Sequence, residues 1–289
     1  MLGVWFNHFQ SSFHFDDNHT VVNNLAIRDF GNVPSFFSTP RMSADRRASV
    51  EYQPLVTSTY ALDYRLAASA VAQIFQVDTF FWFLLDIVVT ALVFMLIPGV
   101  RRTTAVVAAA LFALHPVTTN TVNYISRRGS IMAGLAIAAG LAIWIFYPRM
   151  LPARIIYFDG VPKASWDEFR RKWSPAINAW YQKLIHLPVC VYLWPVALGL
   201  LCDPAAAAFA PILFVFMFLY DRRRIEKRIL PAGLLCGAYW IAYVVLSRGF
   251  TTGIRQPGFP YLFTQPLVIL RAFLKFFIPM NLGVVSDLL

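Results

Sequence analysis

The chain has 289 residues, 58% of them hydrophobic and only 14% charged, with a mean hydropathy of +0.57. Soluble domains average roughly 45–50% apolar and 25% charged residues, so this composition excludes an ordinary water-soluble globule and predicts a polytopic membrane protein. The net charge of +10 does not indicate nucleic acid. Segments 99–103, 148–186 and 221–228 carry fourteen Lys/Arg against five acids, and they alternate with apolar runs, as positively charged cytoplasmic loops do.

Residues 1–78 are mixed in character. Phe15-Asp16-Asp17-Asn18-His19 places two adjacent carboxylates in a polar stretch. Such a group reads either as a turn, since Asp and Asn favour turns, or as acid–base chemistry at the mouth of a membrane bundle. From Val50 to Phe75 apolar residues are interspersed with Thr57, Thr59, Asp63 and Arg65, the pattern of one or two amphipathic surface helices.

Thr79–Val100 is the first long apolar run, and it carries Asp86. A carboxylate at membrane depth is either functional or turned toward a neighbouring helix, because exposing it to lipid is costly. Further spans are expected at about 103–116, 130–147, 187–202, 204–220, 229–247 and 265–282. With Arg101-Arg102 in the cytoplasm, 1–78, 117–129, the Asp203-Pro204 turn and 248–264 fall outside. An outer segment 1–78 implies a membrane helix upstream of Met1.

In the long cytoplasmic stretch 148–186, Ser165-Trp166-Asp167-Glu168 has the form of a capping box. Aromatic and apolar residues then recur at spacings of three and four, opposite Arg170-Arg171-Lys172. That predicts an interfacial helix at about 165–184, lying on an anionic leaflet or packed on a partner protein. Cys190, Cys202 and Cys236 fall in apolar runs, with no spacing that suggests a metal site or disulfide.

The expected fold is therefore all-α: a polytopic membrane helix bundle of about seven spans, with surface helices in an outer loop region. Residues 1–78 form the extracytoplasmic first loop, and 79–289 the transmembrane bundle. Four polar groups share the outer side: Asp16-Asp17 with His19, His115, Arg127-Arg128, and Arg248/Arg255. A carboxylate there can take a proton from an acceptor hydroxyl, and a fixed Arg can hold a phosphate leaving group. Each group alone also has a plainer reading: His115 as a helix-end cap, Arg127-Arg128 as a solvated or headgroup-binding pair.

The chain resembles the membrane glycosyltransferases of the GT-C fold, in particular the tetratricopeptide-repeat O-mannosyltransferase group and its bacterial relatives. The resemblance rests on Phe13–His19 with Val22-Asn23-Asn24, on Asn32–Phe37, on Tyr52-Gln53-Pro54-Leu55 and Ala61–Tyr64, on Leu114-His115-Pro116 with Tyr124-Ile125-Ser126 and Arg128, and on Tyr261–Pro266 with Phe277-Ile278-Pro279. It implies transfer of a sugar, mannose in that group, from a polyprenyl-phosphate donor to a hydroxyl on the outer face, with inversion. Asp16 or Asp17 would be the catalytic base. His115 and Arg128 would line the donor phosphate and sugar site; His19, Arg127 and Arg255, read from the outer polar groups rather than from the resemblance, are further substrate-binding candidates. No cofactor and no protein metal ligands are implied, although a divalent ion is left open. The implied partners are membrane lipid, the lipid-linked donor and other membrane proteins; the implied location is a bacterial inner membrane.

Three departures from the group's pattern bear on activity. Gln53 stands where Arg is usual, Asn120 where Glu is usual, and Asp203 where Lys is usual. They support a rival reading, a GT-C-like subunit without catalysis that serves a larger membrane complex. A transporter is a third reading, drawn from the intramembrane charges Asp86, Arg271 and Lys275, but no pair of broken, repeated helices accompanies them.

Overall fold

A computed structural model describes residues 8–9, 12–14, 16–39, 52–67, 71–116, 118–150, 191–220 and 225–250, together with 267, 270, 273, 274 and 277. The proposed interfacial helix at 165–184, Cys190, Arg255 and most of the last expected span lie outside these residues. Among the described residues every regular element is helical and there is no strand. The α-helices are α1 (Val33–Ser38), α2 (Pro54–Ala67), α3 (Ala72–Leu96), α4 (Arg102–Leu114), α5 (Thr118–Asn123), α6 (Arg128–Met150), α7 (Leu193–Leu200), α8 (Phe209–Tyr220) and α9 (Ile225–Phe250).

Two helical stretches among the described residues are long and apolar enough to cross a membrane, Ala72–Leu96 and Ile125–Phe146. At 1.5 Å per residue they reach about 37 and 33 Å, against a hydrocarbon core of about 30 Å. The chain thus has the elements of a membrane-associated protein. Shorter apolar helices occupy Arg102–Leu114, Pro204–Tyr220 and Ile229–Val244. The first long helix begins seven residues before the expected Thr79 and stops at Leu96. Gln73, Gln76 and Asp78 interrupt the apolar run without breaking the helix; Gln73 is exposed, and Asp78 meets Arg128 and Trp82. Pro98 and Gly99 end it; Gly99 takes φ 79°, a conformation that suits glycine.

The chain divides into two compact units. One comprises Met1–Phe83, Leu111–Ile131 and Tyr243–Leu289; the other comprises Leu84–Ala110 and Met132–Ala242. In the first, α2 packs on α1 and on the 3-10 turns Leu25–Arg28 and Phe30–Asn32. Ile27, Phe36, Val56, Tyr60, Ala61 and Phe75 are buried there. The polar residues of 23–32 are consumed locally: Asn24 Oδ1 accepts from Ala26 N (3.0 Å), Asp29 Oδ1 accepts from Gly31 N (2.9 Å), and Asn32 Nδ2 donates to Ala26 O (3.0 Å).

The second unit has a continuous apolar core that includes Val93, Leu96, Ala133, Trp144, Ile145, Val196, Leu213 and Met217. Its helices approach closely through small residues. A methyl group at Gly199 would collide with Ala136 Cβ, and one at Gly140 would lie 2.9 Å from both Phe209 and Val196. On α8 Leu213, Phe216 and Met217 are buried, while Phe214, Val215, Phe218 and Leu219 stand exposed. A helix apolar on every side suits a lipid surround. Asp86 is buried and turned inward; its Oδ1 accepts from Thr90 Oγ1 at 3.4 Å, and Gly134 leaves room for it, since a methyl there would lie 3.2 Å from Oδ2.

Candidate functional site

The acidic stretch forms a hydrogen-bonded turn that runs into the π-helical turn Asn18–Val22. Asp17 N donates to His14 O (2.8 Å), and Asp17 Oδ2 accepts from His14 N (3.0 Å), which closes the turn from both sides. The Asp16 carbonyl accepts from His19 N (3.0 Å) and Thr20 N (2.9 Å). The two carboxylates then part company. Asp17 is fully buried, whereas Asp16 is exposed and its carboxylate meets no side chain among the described residues.

Asp17 Oδ1 accepts from Ser126 N at 2.8 Å, across 109 residues of sequence. Ser126 lies in the 3-10 turn Ile125–Arg127 that leads into α6. The negative group therefore satisfies a donor that a helix start leaves unpaired. The same turn is held from α2, where the Tyr60 hydroxyl donates to Ile125 O at 2.7 Å. Burial pushes the Tyr60 phenol well above its ordinary pKa, so it remains a donor. His8, also buried, donates from Nε2 to Gln76 O (2.9 Å) and ties the amino-terminal segment to α3.

Arg128 is the largest fully buried side chain among the described residues, with 0% exposure. Its Nε donates to Thr79 Oγ1 (3.0 Å) and its Nη2 to Phe75 O (2.8 Å). Its Nη1 meets Thr59 Oγ1 (2.9 Å), Asp63 Oδ2 (2.7 Å) and Asp78 Oδ2 (2.8 Å). The Tyr60 ring covers one face of the guanidinium, 4.8 Å from Cζ to the centroid. Asp78 Oδ2 also accepts from Trp82 Nε1 at 3.1 Å. The cluster thus joins α2, the start of α3 and the start of α6 through one cation and two carboxylates. Burial pushes the Asp63 carboxyl up to about 6; Arg128 opposes the shift, and Asp78 adds to it.

The other predicted site residues fall as follows. His19 and Arg127 are exposed, and no carboxylate pairs with Arg127 among the described residues. His115 is half-buried just beyond α4, with its carbonyl accepting from Thr118 Oγ1 (2.6 Å). Arg255 lies outside the described residues. The structure therefore brings Asp17 against the segment that carries Arg127 and Arg128. Asp63, Asp78, Thr59, Thr79 and Tyr60 are not among the site residues expected from the sequence, although Thr59 and Asp63 are polar positions of an expected amphipathic helix. The available signal was Thr59 and Asp63 at spacing i, i+4, which puts them on one helix side. Among the described residues no three His, Cys, Asp or Glu side chains gather in a way that could hold a metal.

No family model, curated protein or solved structure matches this chain. The site offers an exposed carboxylate, Asp16, on a turn fixed by its buried neighbour Asp17, and an exposed guanidinium, Arg127, on the turn to which Asp17 is bonded. Such a pair can accept a proton and hold an anion.

Proposed function

We propose that the chain is a membrane glycosyltransferase that moves a sugar, mannose by the resemblance to O-mannosyltransferases, from a polyprenyl phosphate to a hydroxyl acceptor. The observation that carries this reading is the 2.8 Å bond from Ser126 N to Asp17 Oδ1. It joins two of the segments on which the GT-C resemblance rests, 13–24 and 124–128. In the proposed reaction Asp16 takes the proton of the acceptor hydroxyl. The freed oxygen attacks the anomeric carbon with inversion, and the sugar–phosphate bond breaks with its electron pair going to the phosphate oxygen. Asp17 holds the turn on which Asp16 stands.

The same reading places about seven spans in a bacterial inner membrane, with residues 1–78 on the outer side. Its support is the alternation of basic loops and the two long apolar helices. The test is transfer in proteoliposomes supplied with a polyprenyl-phosphate mannose and a Ser/Thr peptide. Asp16→Asn should lower turnover on the order of 10²–10⁴-fold, the range a general base supplies, with an unchanged melting temperature. Full turnover in Asp16→Asn and Asp17→Asn alike would end the proposal.

A second reading, a non-catalytic subunit, draws on Arg128, whose donors face protein acceptors rather than an open pocket. Co-purification with other membrane proteins in fixed ratio, without binding of polyprenyl phosphate, would favour it. Asp203, one of the three departures, has a local structural use: its Oδ1 accepts from Ala205 N (2.7 Å) and caps the turn Pro204–Ala208.

A further inference from the structure

We infer that the two neighbouring arginines divide the work: Arg128 positions the acidic turn from inside the fold, and Arg127 is the cation left to meet an anionic ligand. The assignment to Arg127 rests on the polyprenyl-phosphate reading; the role of Arg128 does not.

A guanidinium has five N–H donors. In Arg128 the Nε donor goes to Thr79 and one Nη2 donor to the Phe75 carbonyl. The two Nη1 donors face three acceptors, Thr59, Asp63 and Asp78. The Thr59 hydroxyl proton already goes to Val56 O at 2.7 Å, so it cannot relieve the crowding. A phosphate could reach the Nη1 donors only by displacing carboxylates, and any donor of this guanidinium only by entering a site with no exposure. Like charge would oppose it there, since two carboxylates outnumber one guanidinium. The backbone of Arg128, by contrast, is two residues from Ser126, whose N–H holds Asp17. With Tyr60 gripping Ile125 O, the turn that receives Asp17 is fixed by side chains from α2 and α3 through Arg128. Arg127, on the same turn, is exposed.

Three variants of the full chain separate these roles: Arg127→Ala, Arg128→Lys, and a triple exchange of Arg128→Met, Asp63→Asn and Asp78→Asn that leaves no charge of this cluster unpaired. Binding of decaprenyl monophosphate is measured in nanodiscs. The position of the acidic turn is read as the distance distribution between nitroxides at Asn18→Cys and Thr119→Cys, both exposed, with the native cysteines replaced. Arg127→Ala should weaken binding about tenfold or more and leave the distances unchanged. The triple variant should broaden the distances while binding stays within about threefold of wild type. Arg128→Lys, which keeps one cation, should restore part of the narrow distribution. A narrow distribution in Arg128→Lys or the triple variant, together with lost binding, would make Arg128 a phosphate ligand and overturn the inference. Unchanged binding in Arg127→Ala would overturn it as well. If the wild-type chain binds no decaprenyl monophosphate, the transfer proposal and the Arg127 assignment fall together, and the distance measurement decides Arg128 by itself.

Discussion

Asp63 is the residue whose titration the fold changes most usefully for experiment. Its carboxyl is raised to about 6, chiefly by burial. The folded chain therefore keeps a proton there that the unfolded chain releases near the ordinary value of 3.8. Between those two values the folded state binds more protons, so the contribution of this group to stability falls as pH rises from about 4 to about 6. Chemical denaturation across that window should show the decline, and Asp63→Asn should flatten it. Removal of Arg128 alone is a different matter. Arg128→Met leaves Asp63 and Asp78 facing each other without a cation, at a cost on the order of 3–5 kcal/mol. The loss should appear in the denaturation midpoint and be largely recovered by adding Asp63→Asn and Asp78→Asn. The sequence pointed to Arg128 as part of a site but not to its partners. Short polar residues scattered along an amphipathic helix look alike whether they face water or a buried cation, and only the fold distinguishes them.

At the level of elements, apolar runs located most of the helices, because membrane-length hydrophobic stretches are a strong signal. The start of α3 was less legible. Gln73, Gln76 and Asp78 read as the polar margin of a loop, yet the helix begins at Ala72 and turns Asp78 and the Phe75 carbonyl toward Arg128. The acidic stretch was readable as both a turn and a site, and the structure gives the two carboxylates different surroundings: Asp17 is spent on backbone donors, and Asp16 is left open. Close packing also sets expectations. Gly199 sits against Ala136 and Ala206, with no space for a side chain. Gly199→Val should destabilise the chain by roughly 1–3 kcal/mol through overpacking, lowering the thermal midpoint. Gly233, around which a methyl group would meet nothing within 4 Å, should accept alanine with no loss.

For the whole molecule, composition was the most informative property: the apolar excess and the two long apolar helices point to membrane association, and the all-helical architecture of the described residues agrees with a membrane solvent that demands internally bonded backbone. The chain should stay in the pellet when membranes are washed with alkaline carbonate, and release into the supernatant would contradict the membrane reading. The number of spans was not legible to the same degree. Apolar helices such as Arg102–Leu114 are shorter than a bilayer, and length alone does not tell a span from a core helix.

The bond between Asp17 and Ser126 also sets an order of events during synthesis. The amino-terminal turn emerges early, but its anchor is made more than a hundred residues later, at the start of the second long apolar helix. Until the turn Ile125–Arg127 has been produced, Asp17 lacks the long-range donor that anchors it. A ribosome-stalled chain ending before Ser126 should thus leave the acidic stretch open to protease, and one long enough for Ile125–Phe146 to have left the ribosome should shield it. The fixed form of the acidic turn is thus a late product of synthesis, completed only when the donor at Ser126 is in place.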